Sequence, residues 1–422
     1  MISLVMLALM AGCAVGLYLK GTLTMGVTMI FNALAAGLVA FGFFEIAARY
    51  LMQYASGLAP WAPTICFLLL LVLVFALLQA IQMQIGKEKI DLGLLPERIG
   101  RPLTGVVLGY LATGYLLVAL AMAPLPSQYP YPRFAARNPN PASPNKALLS
   151  PDGFVTGLFS LVSKGGWGPL GEPKSFAMYH AGYVDQLYLN RLKGKEVPLL
   201  TGSPALDVPR KAGVWNAPPG LRDAEGKSLA GPAGTSLMLV RVNLKRAAFK
   251  DSGKLTLSQM RLVCGPRGGA ISPLAGQGQP AYPIGYIGAG GNLERKNLDE
   301  IIDIAKVPGD TLTMDLAFHV PTNLTPVLLE FKRNNVVQVS APATAEDAPT
   351  PISFGAPAPA PQAAAPSEPP ADQSPPGVEP ASSSSTPAPA PATQTKSKSR
   401  GKGKRGLSDF SKSIVGPEVP DN

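Results

Sequence analysis

The chain has 422 residues, of which 46% are hydrophobic and only 15% charged, well below the roughly 25% charge of a soluble globular domain. It holds 44 Gly, 44 Pro and 37 basic against 27 acidic residues, a net charge of +10; low charge and high proline do not describe one compact fold, so the chain reads as a mosaic. Three widely spaced cysteines, Cys13, Cys66 and Cys264, exclude a disulfide framework and a CxxC-type zinc site, and two histidines are too few for an imidazole metal cage. No metal and no cofactor are expected.

Residues 1–19, 21–44, 50–86 and 102–132 carry no charge. A helix of about 20 apolar residues spans the hydrocarbon core of a bilayer, and lipid permits little besides helices at this hydropathy. Four spanning helices are therefore predicted: Met1 to Leu19, Leu23 to Phe44, a third from near Trp61 through LLLLVLVFALLQAI, and Leu103 to Met122. Pro60 and Pro63 punctuate the start of the third, and Pro124 and Pro126 close the fourth. Met10-Ala11-Gly12-Cys13 has the loose form of a lipoprotein cleavage box, but a signal peptide starts with a basic segment and nothing basic precedes Lys20. The first segment is read as an anchor, and the lipid bilayer as the first partner.

Positive residues in short loops set orientation. Lys20, Lys87, Lys89, Arg98 and Arg101 lie in the first and third loops, and only Arg49 in the second. The first and third loops are then cytoplasmic. The N-terminus and everything after Met122 are accordingly extracytoplasmic.

Residues 126–149 begin PSQYPYPRFAARNPN and read as a Pro-rich extended linker. From about residue 150 to 340 the composition is that of a folded domain, mainly β with some helix. SFAMYHAGYVDQLYLNRL (175–192) suggests one amphipathic helix. From about residue 236 apolar and polar residues alternate. Met238, Val240, Val242 and Leu244 form one such set; Leu312, Met314, Leu316, Phe318 and Val320 a second; Val327, Leu329 and Phe331 a third. Arg333-Asn334-Asn335 supplies a turn before Val336. Period-two alternation between turn signals predicts antiparallel strands buried on one face, and several of them suggest a β-sandwich. Residues 341–422 are expected to be disordered: of residues 341–390, 35 of 50 are Ala, Pro or Ser, too little apolar surface to offset the entropy of ordering. A basic cluster, 396–405, ends this tail. By region, residues 1–125 hold six basic and four acidic residues, 126–340 hold 24 and 15, and the tail seven and eight, so the basic bias sits on the folded domain.

The membrane part resembles the colicin V production protein (CvpA) family. The features that carry the resemblance are Leu19-Lys20-Gly21 leading into the second helix, and Glu97-Arg98-Ile99-Gly100-Arg101-Pro102-Leu103-Thr104-Gly105 with Gly109 and Gly114 after it. It covers residues 1 to about 125. The first turn lacks the second basic residue of the family pattern, and a large extra domain follows the fourth helix. The resemblance implies four helices in a bacterial inner membrane and an accessory role in toxin production or export. Phe318 to Lys332 (FHVPTNLTPVLLEFK) resembles a telokin-like, immunoglobulin-like bacterial domain.

Several residue sets are candidates for function. Gly12 and Gly16, Ala33 and Gly37, and Gly105 and Gly109 are spaced four apart, with Gly114 beyond. Small residues at this spacing let helix backbones approach in lipid, here within one copy, with self-association through the same faces as the alternative. Asn32, mid-helix, needs a partner for its amide and is expected to make one interhelical hydrogen bond; a polar path would need more than Thr64, Gln79, Thr104 and Thr113. Glu45 and Arg49, one turn apart, have the spacing of a salt bridge near the outer interface, where snorkelling suffices. A serine hydrolase would require His180 or His319 beside an Asp and a Ser, for which His180, Asp207 and Ser252 are available in order, but without flanking glycines to shape an oxyanion hole. The Gly-rich stretch 265–291 has no phosphate-loop spacing and reads as a surface loop. The basic cluster 396–405 has no interleaved aromatic for base stacking, so no nucleic acid is expected. The sum is a non-enzymatic membrane scaffold that contacts envelope proteins. A membrane-anchored hydrolase and a small-solute transporter or channel are the alternatives.

Overall fold

A computed structural model describes residues 2–355, except 86–92, 165–173, 202–203, 230, 250–251, 268–271, 306 and 308. The expectations for Lys87 and Lys89, for most of the tail and for the basic cluster 396–405 fall outside the described residues.

Among the described residues, four helices are long and apolar enough to cross a membrane: α1 (Ile2–Lys20), α2 (Leu23–Tyr54), α3 (Ala62–Ile85) and α4 (Leu94–Met122). Two are longer than their uncharged stretches. The 32 residues of α2 measure about 48 Å, against a hydrocarbon core of about 30 Å. Hydropathy ends at Glu45, but the helix runs on until Ala55, whose N–H closes on Leu51. α4 starts nine residues earlier than expected and runs through Pro102. Glu97 lies in its first turn, pairs with Arg101 one turn on, and accepts a hydrogen bond from the Leu23 N–H at 3.2 Å, tying the entries of α2 and α4 together.

α1 packs on α4, and α2 on both α3 and α4. A β-carbon built on Gly105 would stand 2.5 Å from Ala14 Cα, and one on Gly109 2.6 Å from Met10 Cα. The two backbones touch only because those side chains are absent. These contacts run antiparallel, so Ile2 is level with about Leu117 of α4. The entries of α2 and α4, with Lys20, Arg98 and Arg101, are at one end of the bundle. The folded region sits at the other end, on the C-terminus of α4.

Residues 126–149 contain no helix or strand, yet they are pinned down: Tyr131, Arg133 and Phe134 are buried. An unforeseen helix, α5 (Pro151–Ser163), follows and packs on α4 and α2. The helix expected over 175–192 is two pieces, α6 (Phe176–Tyr179) and α7 (Tyr183–Asn190). Gly182, at φ +63°, breaks it; a left-handed residue cannot continue a right-handed helix.

The remaining strands are β1 (Leu206–Asp207), β2 (Val214–Asn216), β3 (Thr235–Lys245), β4 (Lys254–Thr256), β5 (Met260–Pro266), β6 (Gln279–Ala281), β7 (Pro283–Ile287), β8 (Leu293–Arg295), β9 (Ile301–Asp303), β10 (Thr311–Pro321), β11 (Leu324–Phe331) and β12 (Asn335–Gln338). They form a six-stranded sheet in the order β1-β3-β10-β7-β8 with β2 also on β3, a four-stranded sheet β12-β11-β5-β6, and the pair β4-β9. All the pairings are antiparallel. The two larger sheets share one hydrophobic core. The alternating residues of β3 and β10 face it, with Leu262, Cys264, Leu329 and Phe331 opposite. Val327 leaves this core for a smaller cluster with Leu328 because the β5–β11 register shifts between Pro326 and Leu328. The stretch expected as a surface loop, 265–291, contributes β6 and β7, with Tyr286 and Ile287 buried.

The second face of β3–β10 is also covered. Leu239 and Ala317 are fully buried there with Trp215, Ile287 and Leu293. Part of the cover comes from residues 341–355, which the composition assigns to a disordered tail. The Ala343 N–H donates to Val214 O at 2.7 Å and the Phe354 N–H to Ile287 O at 2.7 Å. Asp315, wholly buried, binds Arg241 through two 2.8 Å bonds and accepts from the Ile352 N–H at 2.7 Å.

Candidate functional site

The last four carbonyls of a helix have no partner within it and must find one if they are buried. At the end of α4 two arginines supply that partner. Arg191, the residue after α7, is 2% exposed. Its guanidinium donates to Ala123 O at 3.2 Å, Leu120 O at 3.3 Å and Tyr129 O at 2.8 Å, and lies 4.7 Å from the Tyr188 ring centre. Arg333, in the β11–β12 turn, donates to Met122 O at 2.7 Å. Burial lowers the Arg191 pKa to about 10, which Tyr188 partly counters. Burial also lowers that of Arg333, opposed by Tyr183, Glu45 and Glu330 around it. The helix C-terminus itself favours both cations.

A second layer fixes the strand-rich region to α6 and α7. Arg261 on β5 and Glu330 on β11 are cross-strand partners, 2.5 Å apart and each about 97% removed from solvent. Arg261 also donates to Ala181 O at 2.5 Å and Tyr179 O at 2.9 Å, gripping the break between α6 and α7, while Gln186 of α7 donates to Glu330. In the same break His180 Nε2 stands 2.8 Å from Glu45 Oε1 of α2. A third set joins the segment before α5: Arg133 contacts Asp185 at 2.5 Å and the Tyr131 hydroxyl at 2.7 Å, and that hydroxyl donates to Asp152 at 2.5 Å.

Beside the Arg261–Glu330 pair a small cavity is lined by Gln186, Asn190, Gln259 and Lys332 among others, with room for about one water. The amide groups of Gln186, Asn190 and Gln259 donate outward to Glu330, Leu199 O and Pro198 O, which leaves their oxygens unpaired. The ammonium of Lys332, a residue 2% exposed, has no hydrogen-bond partner either, and lies 5.2 Å and 5.4 Å from the ring centres of Phe331 and Phe249. Burial brings its pKa down to about 8. No family model, curated protein or solved structure matches the chain.

The residues singled out from the sequence fall as follows. Gly105 and Gly109 meet α1, and Gly114 meets Pro151 and Val155 of α5. Gly37 makes room for the Tyr115 ring, whose hydroxyl donates to Ala33 O at 3.2 Å. Gly12 and Gly16 do not join this packing. Both are exposed with nothing within 4 Å of a built β-carbon, because α4 lies along the Met6, Met10 and Leu17 side of α1. Asn32 donates to Gln79 at 3.3 Å and Gln82 at 3.1 Å on α3. Thr104 and Thr113 return their hydroxyls to carbonyls of their own helix, and Thr64 reaches Ala119 O at 3.4 Å. Glu45 is joined to His180, with Arg49 one turn further along α2.

The residues of a hydrolase triad each have a separate partner. His180 has Glu45, Asp207 accepts from Asn243 at 3.4 Å, and the Ser252 hydroxyl meets the backbone of Lys254. His319, on β10, has an unpartnered buried Nδ1, and burial lowers its pKa. Sequence reasoning missed Arg191, Arg261, Glu330, Arg333 and Lys332. A signal for one pair was present: opposite charges inside two otherwise apolar runs, MRLVC and VLLEF, suit neighbouring strands on one face.

Proposed function

We propose that this chain is a non-enzymatic scaffold of the bacterial inner membrane. Its helices anchor a basic, strand-rich platform on the extracytoplasmic side that assists toxin production, secretion or a related envelope process. The observation that carries the reading is the junction: Arg191 and Arg333 grip the carbonyls at the end of α4, and Glu45 holds His180. Such an attachment transmits position from bundle to platform, which suits a scaffold better than an independently tethered catalytic domain.

The orientation is supported by Lys20, Arg98 and Arg101 at the end of the bundle away from the platform. The accessory role rests on the resemblance of residues 1–125 to the colicin V production type. The sandwich form of the platform, its telokin-like character and its envelope partners belong to the same proposal. Cells lacking the protein should release less of a colicin V-type peptide toxin, and Ser252→Ala should restore release as fully as the parent chain does. Unchanged release without the protein would remove the secretion role. Labelling by a serine-reactive probe that Ser252→Ala abolishes would replace the scaffold with the hydrolase.

A further inference from the structure

α5 is amphipathic in the wrong sense for a helix in water. Its inner face, Val155, Thr156, Phe159 and Ser163, is buried. Its outer face is Phe154, Gly157, Leu161 and Val162, all exposed, and Leu148 and Leu149 just before it are exposed too. Residues 147–163 contain one charge, Asp152, which is 1% exposed and tied to Tyr131 and Arg133. Lys146 and Lys164 flank the segment. A helix face open to water carries charges; this one carries a phenylalanine, a leucine and a valine, with two more exposed leucines just before it.

Its depth points the same way. Pro151 and Val155 rest on Gly114 of α4, and the Tyr110 hydroxyl donates to Leu149 O at 2.9 Å, with the Tyr110 and Phe154 ring centres 5.4 Å apart. Gly114 lies eight residues and Tyr110 twelve residues inside the C-terminal end of α4, or about 12 Å and 18 Å at 1.5 Å per residue. Half the hydrocarbon core is about 15 Å. The exposed face of α5 thus continues the exposed face of α4 at Val106 and Val107. Backbone groups at such depth must be satisfied internally. Pro151 has no N–H, the Gly153 N–H donates to Asp152 Oδ1 at 2.9 Å and the Phe154 N–H to Ser150 O at 3.0 Å.

We propose that residues 147–163 form a re-entrant segment embedded in the leaflet on the platform side, with lipid acyl chains as the partner of the Phe154–Leu161–Val162 face. The segment makes the platform part of the bilayer surface, and Lys146 and Lys164 reach the headgroups.

The inference rests on the reading that α1–α4 span the bilayer, and the test separates the two. The full chain, with Cys13, Cys66 and Cys264 replaced, is reconstituted in liposomes and spin-labelled singly at Phe154→Cys, Leu161→Cys, Leu73→Cys on the exposed side of α3, or Arg222→Cys on the platform. Labels at 154 and 161 should respond to oxygen and lose the response to a water-soluble nickel chelate, as at 73 and unlike 222. Nickel access at 154 and 161, with 73 protected, overturns the inference alone; access at 73 overturns the bilayer reading. Protection from both reagents at 154 and 161 means that protein covers the face and overturns the lipid assignment. If the labelled chains fail to fold, Phe154→Trp is read instead. Its fluorescence should be quenched by phosphatidylcholine brominated in the mid-acyl chain, and absence of quenching contradicts the proposal.

Discussion

Removing Arg261 opens the platform at a buried ion pair. Arg261→Met deletes a 2.5 Å ion pair to Glu330 and donors to Ala181 O and Tyr179 O, and leaves a carboxylate that is 2% exposed, hydrogen-bonded by the Gln186 amide and without its own ion-pair partner. Breaking a buried pair from one side costs about 3–5 kcal/mol, whereas replacing both partners by apolar residues is often neutral. Arg261→Met should therefore cost about 3–5 kcal/mol, and Arg261→Met/Glu330→Leu less than about 2 kcal/mol. Cys264, three residues along β5, reports the opening: it is 1% exposed, and burial raises its thiol pKa to about 12. With Cys13 and Cys66 replaced, its rate of modification in detergent measures the population of the opened state. At about 1.4 kcal/mol per tenfold, the single variant should react roughly a hundred- to a few-thousand-fold faster than the parent, and the double variant far less so. A single variant within about 1 kcal/mol of the parent, or a double variant worse than the single, would refute the reasoning.

Two glycines of similar spacing should behave oppositely. Gly109→Leu pushes a side chain into the backbone of α1 and should lower the unfolding midpoint in detergent by the equivalent of at least about 1–3 kcal/mol, while Gly12→Leu, facing open space, should stay within about 0.5 kcal/mol; equal effects contradict the packing described. Lys332 has a folded pKa of about 8, below the usual 10.5, so its buried charge destabilises fully below pH 8 and the parent gains stability as pH rises from about 8 to 10.5. Lys332→Met should be more stable than the parent at pH 7 by about 3 kcal/mol, with the advantage shrinking by pH 9.5 in denaturant titrations; a constant difference across that range argues against a buried ammonium.

The architecture was legible where one physical signal dominates. Uncharged runs located α1–α4, and alternation located β3, β10 and β11, because burial in lipid or in a core imposes those patterns directly. Helix ends were less so. Glu45 marks where hydropathy stops, but no glycine or proline follows until Gly57, and Pro102 lies inside α4 rather than before it. α5 hides in a Pro- and Gly-rich stretch too short for a spanning helix, although Pro151 at its start and the spacing of Val155, Phe159 and Ser163 are helical signals. Gly182 was a visible break that the apolar period of 175–192 outweighed. The junction was hardest. Glu45 meets His180 across 135 residues, and Arg333 meets Met122 across 211, so neither pairing leaves a local trace. The second buried face of β3 was hidden for the same reason, since its cover comes from Trp215 and residues 341–355.

The most direct test of the account labels single cysteines in intact cells with a membrane-impermeant maleimide, one at Arg98→Cys at the entry of α4 and one at Arg222→Cys on the platform. The account predicts labelling at 222 once the outer membrane is permeable, and labelling at 98 only after lysis. The reverse pattern, or a chain that leaves the membrane fraction without detergent, would contradict it.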